Sequence, residues 1–215
     1  QTAGAVTIDS VDDGIFEIDE TVIVDVIGVT NAVEASPQQI TTTIVNDDSA
    51  PSVLLSIANP NLIEQTGSTT ITATLSEVSS LDVTVTLAVA GTASATDFNP
   101  ITTTILIRAG QSSGSAQLST IDDAVDEFDE TVIVSIDTVA GGTENGAQSV
   151  TANIIDDDDP PTILVSFDTA SIDEADQSAV LTASLSGVSS QDVTATILIS
   201  GTALLDTDFA SSSIV

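Results

Sequence analysis

Between Pro51 and Asp158, short runs of residues alternate apolar and polar positions with a period of two, the signature of half-buried strands. Residues 69–75 place Ile71, Ala73 and Leu75 on one face, and residues 82–89 place Val83, Val85, Leu87 and Val89 inward against Thr84 and Thr86. Further runs cover residues 53–57, 103–107, 115–121, 131–137 and 148–155. Breakers separate them: Asn59-Pro60-Asn61, Ala109-Gly110-Gln111, Gly141-Gly142 and Asn145-Gly146. Seven strands in about 110 residues predict an all-β, immunoglobulin-like sandwich. No segment sustains apolar residues at helical spacing, so helices are not expected.

The pattern recurs. Asp12-Asp13-Gly14-Ile15-Phe16-Glu17-Ile18-Asp19-Glu20-Thr21 returns without a gap as Asp122-Asp123-Ala124-Val125-Asp126-Glu127-Phe128-Asp129-Glu130-Thr131, an offset of 110 residues. At the same offset Asn46-Asp47-Asp48 returns as Asp156-Asp157-Asp158, and Gly91-Thr92-Ala93 as Gly201-Thr202-Ala203. Asp97-Phe98 returns as Asp208-Phe209, one residue later. Repetition at a fixed period predicts tandem units: residues 1–48 as the back half of one repeat, 49–159 as a complete repeat, and 160–215 as the front part of another. Both ends fall inside a repeat, which predicts a stretch of a longer array. The joints are short and carry Pro51, Pro160 and Pro161, so stiff connections are expected.

Composition sharpens this picture. There are 33 acidic residues against one basic residue and no His, a net charge of −32, yet 41% of the chain is hydrophobic. Self-repulsion on that scale opposes compaction, and the conflict resolves if the acid sits at a few loop sites neutralised by bound cations. A lone Arg108 cannot neutralise a run of phosphates, which excludes a nucleic-acid partner. With no Cys there is neither a disulfide nor a thiolate metal site. No apolar run reaches the roughly 18–20 residues that span a bilayer, so direct membrane insertion is not expected.

Three acidic clusters mark the 49–159 repeat: Asp122-Asp123 with Glu127 and Glu130 ahead of the sixth strand, Asp156-Asp157-Asp158 after the seventh, and Asp97 and Glu64 near other strand ends. Loops at one end of a sandwich can bring these together. Ca²⁺ takes about six to eight oxygen ligands, whereas Mg²⁺ keeps most of its waters, so the cluster suits Ca²⁺. Asp126 and Asp129 alternate with the candidate ligands and are expected to face solvent. Phe16, Phe98, Phe128 and Phe209 are expected to plug the ends of the cores. Neither an EF-hand loop nor a glycine-rich nonapeptide repeat occurs.

Together these residues resemble the Calx-beta family, in which an early Glu, an Asp followed by an aromatic, an Asp-Asp leading into Glu-x-x-Glu-Thr, and a terminal acidic triplet mark one domain. Here they are Glu64, Asp97-Phe98, Asp122-Asp123 with Glu127 to Thr131, and Asp156-Asp157-Asp158. The first partial repeat shows Asp12, Asp13, Glu17, Glu20, Asn46, Asp47 and Asp48, with Asn46 departing from the triplet; the last shows Glu174 and Asp208-Phe209. The resemblance covers essentially the whole chain. It implies a seven-stranded sandwich that binds Ca²⁺ through loops at one end.

The resulting expectation is a calcium-binding structural repeat of a long extracellular surface protein, bacterial in origin, acting as a stiffened stalk in adhesion. Its partners would be neighbouring repeats, with a surface receptor or secretion machinery beyond them. The alternative, carried by the resemblance to the cytosolic loop of sodium–calcium exchangers, is a regulatory Ca²⁺ sensor attached to a transporter or receptor. An enzyme is not expected, since no His, Cys or catalytic Lys is present.

Overall fold

The computed structural model describes residues 3–36, 38–174 and 177–211. Fifteen strands lie among them: β1 (Glu20–Asp25), β2 (Gln39–Ile44), β3 (Ser52–Ile57), β4 (Asn61–Ile63), β5 (Ser68–Leu75), β6 (Val83–Gly91), β7 (Thr104–Ile107), β8 (Ser113–Ser119), β9 (Val125–Asp126), β10 (Glu130–Ala140), β11 (Thr143–Glu144), β12 (Ser149–Ile155), β13 (Ile163–Phe167), β14 (Leu181–Leu185) and β15 (Val188–Ser189). No helix is long and apolar enough to cross a membrane among the described residues.

The strands of the central region form two sheets, ordered β4-β12-β10-β6-β7 and β11-β3-β5-β8. The alternation read from the sequence fills the space between them. Val53, Leu55, Ile71, Ala73, Ala116 and Leu118 face inward from the second sheet, and Val83, Val85, Ile105, Ile107, Val132, Val134, Ala152 and Ile154 from the first. The core is aliphatic throughout, and each fully buried Val, Ile or Leu contributes about 1.5–3 kcal/mol. Thr, Val and Ile suit such a pleated surface because their branched side chains pack against cross-strand neighbours.

The seven expected strands are all present, and three short ones join them. The most consequential is β4, which pairs parallel to β12 (Asn61↔Asn153 to Ile63↔Ile155) and buries Leu62. The chain leaves β3 in one sheet and enters the other within a few residues, across Asn59-Pro60. Pro60 can still accept, and its carbonyl takes the Asn153 N–H at 2.7 Å. Val89, expected inward, is 37% exposed, because β6 runs past the core to Gly91.

Gly91 has φ of 132°, and a Cβ there would lie 2.0 Å from the Thr131 carbonyl oxygen. Only glycine allows this approach. It lets that carbonyl accept from both Thr92 N–H (3.0 Å) and Ala93 N–H (3.1 Å), which draws the following turn against the start of β10.

The flanking segments repeat the central pairings. Glu20↔Ile44 in β1–β2 matches Glu130↔Ile154 in β10–β12, and Ile163↔Leu185 in β13–β14 matches Val53↔Leu75 in β3–β5.

Candidate metal centre

The parallel pairing of β4 with β12 ends both strands at one place. Glu64 follows β4, its N–H bonded to the Ile155 carbonyl at 3.0 Å, and Asp156 follows β12. One carboxylate oxygen each from Glu64, Asp156 and Asp158 lies within 4.8 Å of the others. Glu64 is 4% exposed. A tight turn holds it there: Gly67 N–H bonds the Ile63 carbonyl at 2.7 Å, and the Thr120 hydroxyl bonds both the Ile63 (3.2 Å) and Gly67 (3.0 Å) carbonyls.

A second triad, Asp97, Glu127 and Glu130, is equally close. Asp97 is buried in a turn made by its own side chain, which accepts from the Ser94 N–H and, at 2.9 Å, from the Thr96 hydroxyl. Its carbonyl accepts the Ile121 N–H at 2.9 Å, fastening the turn to the loop ahead of β10. Glu130 opens β10 and brings its carboxylate close to that of Asp97.

The carboxylates act on one another. Burial, then the Asp123 charge, raise Glu64 to about 7, against the pull of the Asp123 backbone N–H; Asp156 and Asp158 add to the rise. Burial, then the bond to Asp97 and the charges of Asp97, Glu127 and Glu64, push Glu130 up to about 7. Glu127 is raised by burial and by Asp97, Asp123 and Asp156, and Asp158 by desolvation and its acidic neighbours. Burial alone would raise Asp97 too, but the hydrogen bonds from Ser94, Glu130 and Thr96 outweigh it and hold the group below its ordinary value. The two triads therefore form one acidic field. The single cation, Arg108, follows β7 at the far end of the sandwich, since Ile107 pairs with Val83 at the start of β6.

A buried carboxylate without a counter-charge is expensive. It can take a proton, as Glu64 and Glu130 tend to, or it can bind a cation. The donor set is all oxygen, six carboxylates deep, and suits a hard ion of calcium's size and coordination number. Asp156 Oδ1 is buried and accepts no hydrogen bond. An orphaned anionic oxygen beside Glu64 and Asp158 is what a metal ligand looks like without its metal.

The other predicted ligands are placed differently. Asp122 and Asp123 lie in the same field but outside both triads; Asp123 Oδ1 accepts the Val125 N–H at 2.8 Å. Asp157 Oδ1 accepts the Gln65 N–H at 3.2 Å. Among the described residues Asp12, Asp13, Glu17, Glu20, Asp47 and Asp48 join no such triad, although Asp48 is raised by desolvation and by Asp47, Asp13, Asp12 and Glu77. Glu174 is exposed, and Asp208 Oδ2 accepts the Leu204 N–H at 2.8 Å.

Two expectations are corrected, for Asp126 and Phe128. Asp126 does not face solvent: it is 7% exposed, and its carboxylate accepts the Ser189 hydroxyl at 2.6 Å. Asp129 is exposed, as expected, and its Oδ1 also accepts the Asp156 N–H at 3.3 Å, bracing the triplet. Phe128 is 71% exposed and plugs nothing, while Phe98 does pack against the core. Strand alternation cannot be extended into a loop, where backbone bonds decide which way each side chain turns. The Asp129 brace had one available signal, the recurrence of Asp19 at the same place, where it accepts the Asn46 N–H at 3.0 Å.

No protein-family model matches the chain, and no curated protein matches it. Among solved structures, CBD12 from CALX1.2 is 23% identical with a TM-score of 0.45, the match covering 50% of this chain and 44% of that one. The apo-form Calx CBD1 domain is 19% identical with a TM-score of 0.44, covering 50% of this chain and 99% of that domain. The chain thus spans less than half the length of the CBD12 protein.

Proposed function

We propose that this chain is a calcium-binding structural segment of a long extracellular surface protein, a stalk whose repeats are stiffened by Ca²⁺. The observation that carries the reading is the buried, unbonded Asp156 Oδ1, set among carboxylates with no basic residue to answer them. In this reading residues 1–48, 49–159 and 160–215 are the back half, the whole and the front part of successive repeats. Glu64, Asp156 and Asp158 hold one ion and Asp97, Glu127 and Glu130 another, at the end of the sandwich that leads through Asp159-Pro160-Pro161 to the next repeat. Cancelling the repulsion at that end stabilises both the repeat and its joint, because an ion bound only by the folded state adds to its stability. The chain's acidity keeps it away from nucleic acid, and its role is mechanical rather than catalytic. Calorimetric titration of the whole chain with Ca²⁺ and with Mg²⁺ tests the reading. Saturable heat with Ca²⁺ and much weaker heat with Mg²⁺ is expected; equal heats, or none with Ca²⁺, would overturn it.

A further inference from the structure

Two joints far apart in the chain are made by one contact. At the first, Phe16 forms a parallel bridge with Ser79, and its carbonyl accepts the Ser80 N–H at 3.0 Å and the Ser79 hydroxyl at 3.4 Å. At the second, β9 pairs parallel to β15 with Asp126 opposite Ser189, and the Asp126 carbonyl accepts the Ser190 N–H at 3.0 Å and the Ser189 hydroxyl at 3.3 Å. Every partner in the second contact stands 110 residues beyond its counterpart in the first. The bridging residue changes from Phe to Asp and the contact persists, so the backbone carries it.

The receiving surface is also tied into its own sandwich. Ser79 is 1% exposed, its hydroxyl accepts the Leu81 N–H at 3.0 Å, and its carbonyl accepts the Gly110 N–H at 2.9 Å from the turn after β7. This seat lies where β6 begins, whereas the carboxylates gather where β6 ends. The contact therefore joins unlike ends of successive units, a heterologous, head-to-tail arrangement.

We propose that Ser79-Ser80, and Ser189-Ser190 after it, are docking seats for the acidic loop of the preceding β-unit. The partner this surface fits is another copy of the same unit, and repetition of one contact fixes one rotation and one rise per unit. An open helical array follows from such a contact when the rotation does not close a ring. Side chains add to the backbone grip at the second joint. The Asp126 carboxylate holds the Ser189 hydroxyl, whose oxygen also accepts the Gln191 N–H at 3.1 Å, and the Gln191 amide reaches the Glu127 carbonyl at 3.3 Å. The seat thus grips the loop that presents Glu127 and Glu130. The inference rests on the tandem-repeat part of the proposed function and not on calcium.

The chain has no Cys, so spin labels can be placed at will. Pulsed dipolar spectroscopy on the full chain would compare Thr41→Cys with Ser56→Cys across the first joint, and Thr151→Cys with Ser166→Cys across the second. In chelator, both pairs should give single-peaked distance distributions with the same modal distance, and Ca²⁺ should narrow both. Ser189→Ala with Gln191→Ala should broaden the second and leave the first unchanged. Ser80→Pro, which deletes the backbone donor to the Phe16 carbonyl, should broaden only the first, and an unchanged melting transition of the central sandwich will show that the fold is kept. Multi-peaked distributions in the unaltered chain, unequal modal distances, or variants without effect would overturn the seat. Single-peaked distributions without any calcium heat would leave the seat standing and remove the calcium reading; calcium heat with indifferent seat variants would do the reverse.

Discussion

The loop from Asp12 to Glu20 and the loop from Asp122 to Glu130 are nearly the same sequence with different fates. Their local bonds agree: Asp13 accepts the Ile15 N–H at 2.9 Å as Asp123 accepts that of Val125 at 2.8 Å, and Asp19 and Asp129 brace equivalent backbone positions. Among the described residues, only the second loop places its Glu residues in a triad with a buried acid. The first has Asn46 where the second has Asp156. The loop motif fixes its own hydrogen bonds, but the cluster is tertiary. In the central sandwich it is assembled where β4 lies beside β12 and the Ser94–Asp97 turn lies against β10.

Breaking the assembled cluster should have the largest effect. Asp156→Ala should weaken Ca²⁺ binding by about 100-fold or more, equivalent to about 2.8 kcal/mol, whereas Asp12→Ala should leave the same titration unchanged. If the two variants behave alike, the acid is a diffuse cloud rather than a site. Chelation comes next. At a hundredfold excess over Kd, Ca²⁺ stabilises the folded state by about 2.7 kcal/mol, so its removal should lower the melting temperature of the central sandwich by several degrees in a calorimetric scan.

The raised carboxyls predict the pH dependence without metal. Glu64 and Glu130 sit at about 7 when folded and near 4.5 otherwise, so the folded state binds their protons more tightly. Their contribution is fully present below pH 4.5 and is lost as pH rises through about 7. Asp97, held low, works in the opposite sense and loses its contribution only in stronger acid. Melting in chelator should therefore be higher at pH 5 than at pH 8, and Glu64→Gln or Glu130→Gln should flatten the difference. The smallest effect belongs to the brace. Asp129→Ala touches no ion, and the roughly tenfold loss of Ca²⁺ affinity expected of a supporting residue separates it from both Asp156 and Asp12.

The strands were legible because alternation in a sheet has a fixed period: Ile71, Ala73, Val83, Val85 and Leu87 face the core as read. The three residues of β4 were not, since Asn59-Pro60-Asn61 reads as a turn and the parallel pairing with β12 is set by residues about 90 positions away. The acid clusters were visible as composition and recurrence. The division of labour among them was hidden, because whether Asp126 meets solvent or Ser189, and whether Asp129 binds an ion or the Asp156 N–H, depends on loop geometry that carries no period.

The central claim is that paired triads at one end of the central sandwich hold Ca²⁺. Anomalous diffraction from crystals grown with Ca²⁺ tests it most directly. Peaks about 2.3–2.6 Å from oxygens of Glu64, Asp156 and Asp158, and of Asp97, Glu127 and Glu130, are predicted. Peaks at Asp12 and Asp13 alone, or none within bonding distance of Asp156 Oδ1, would contradict it.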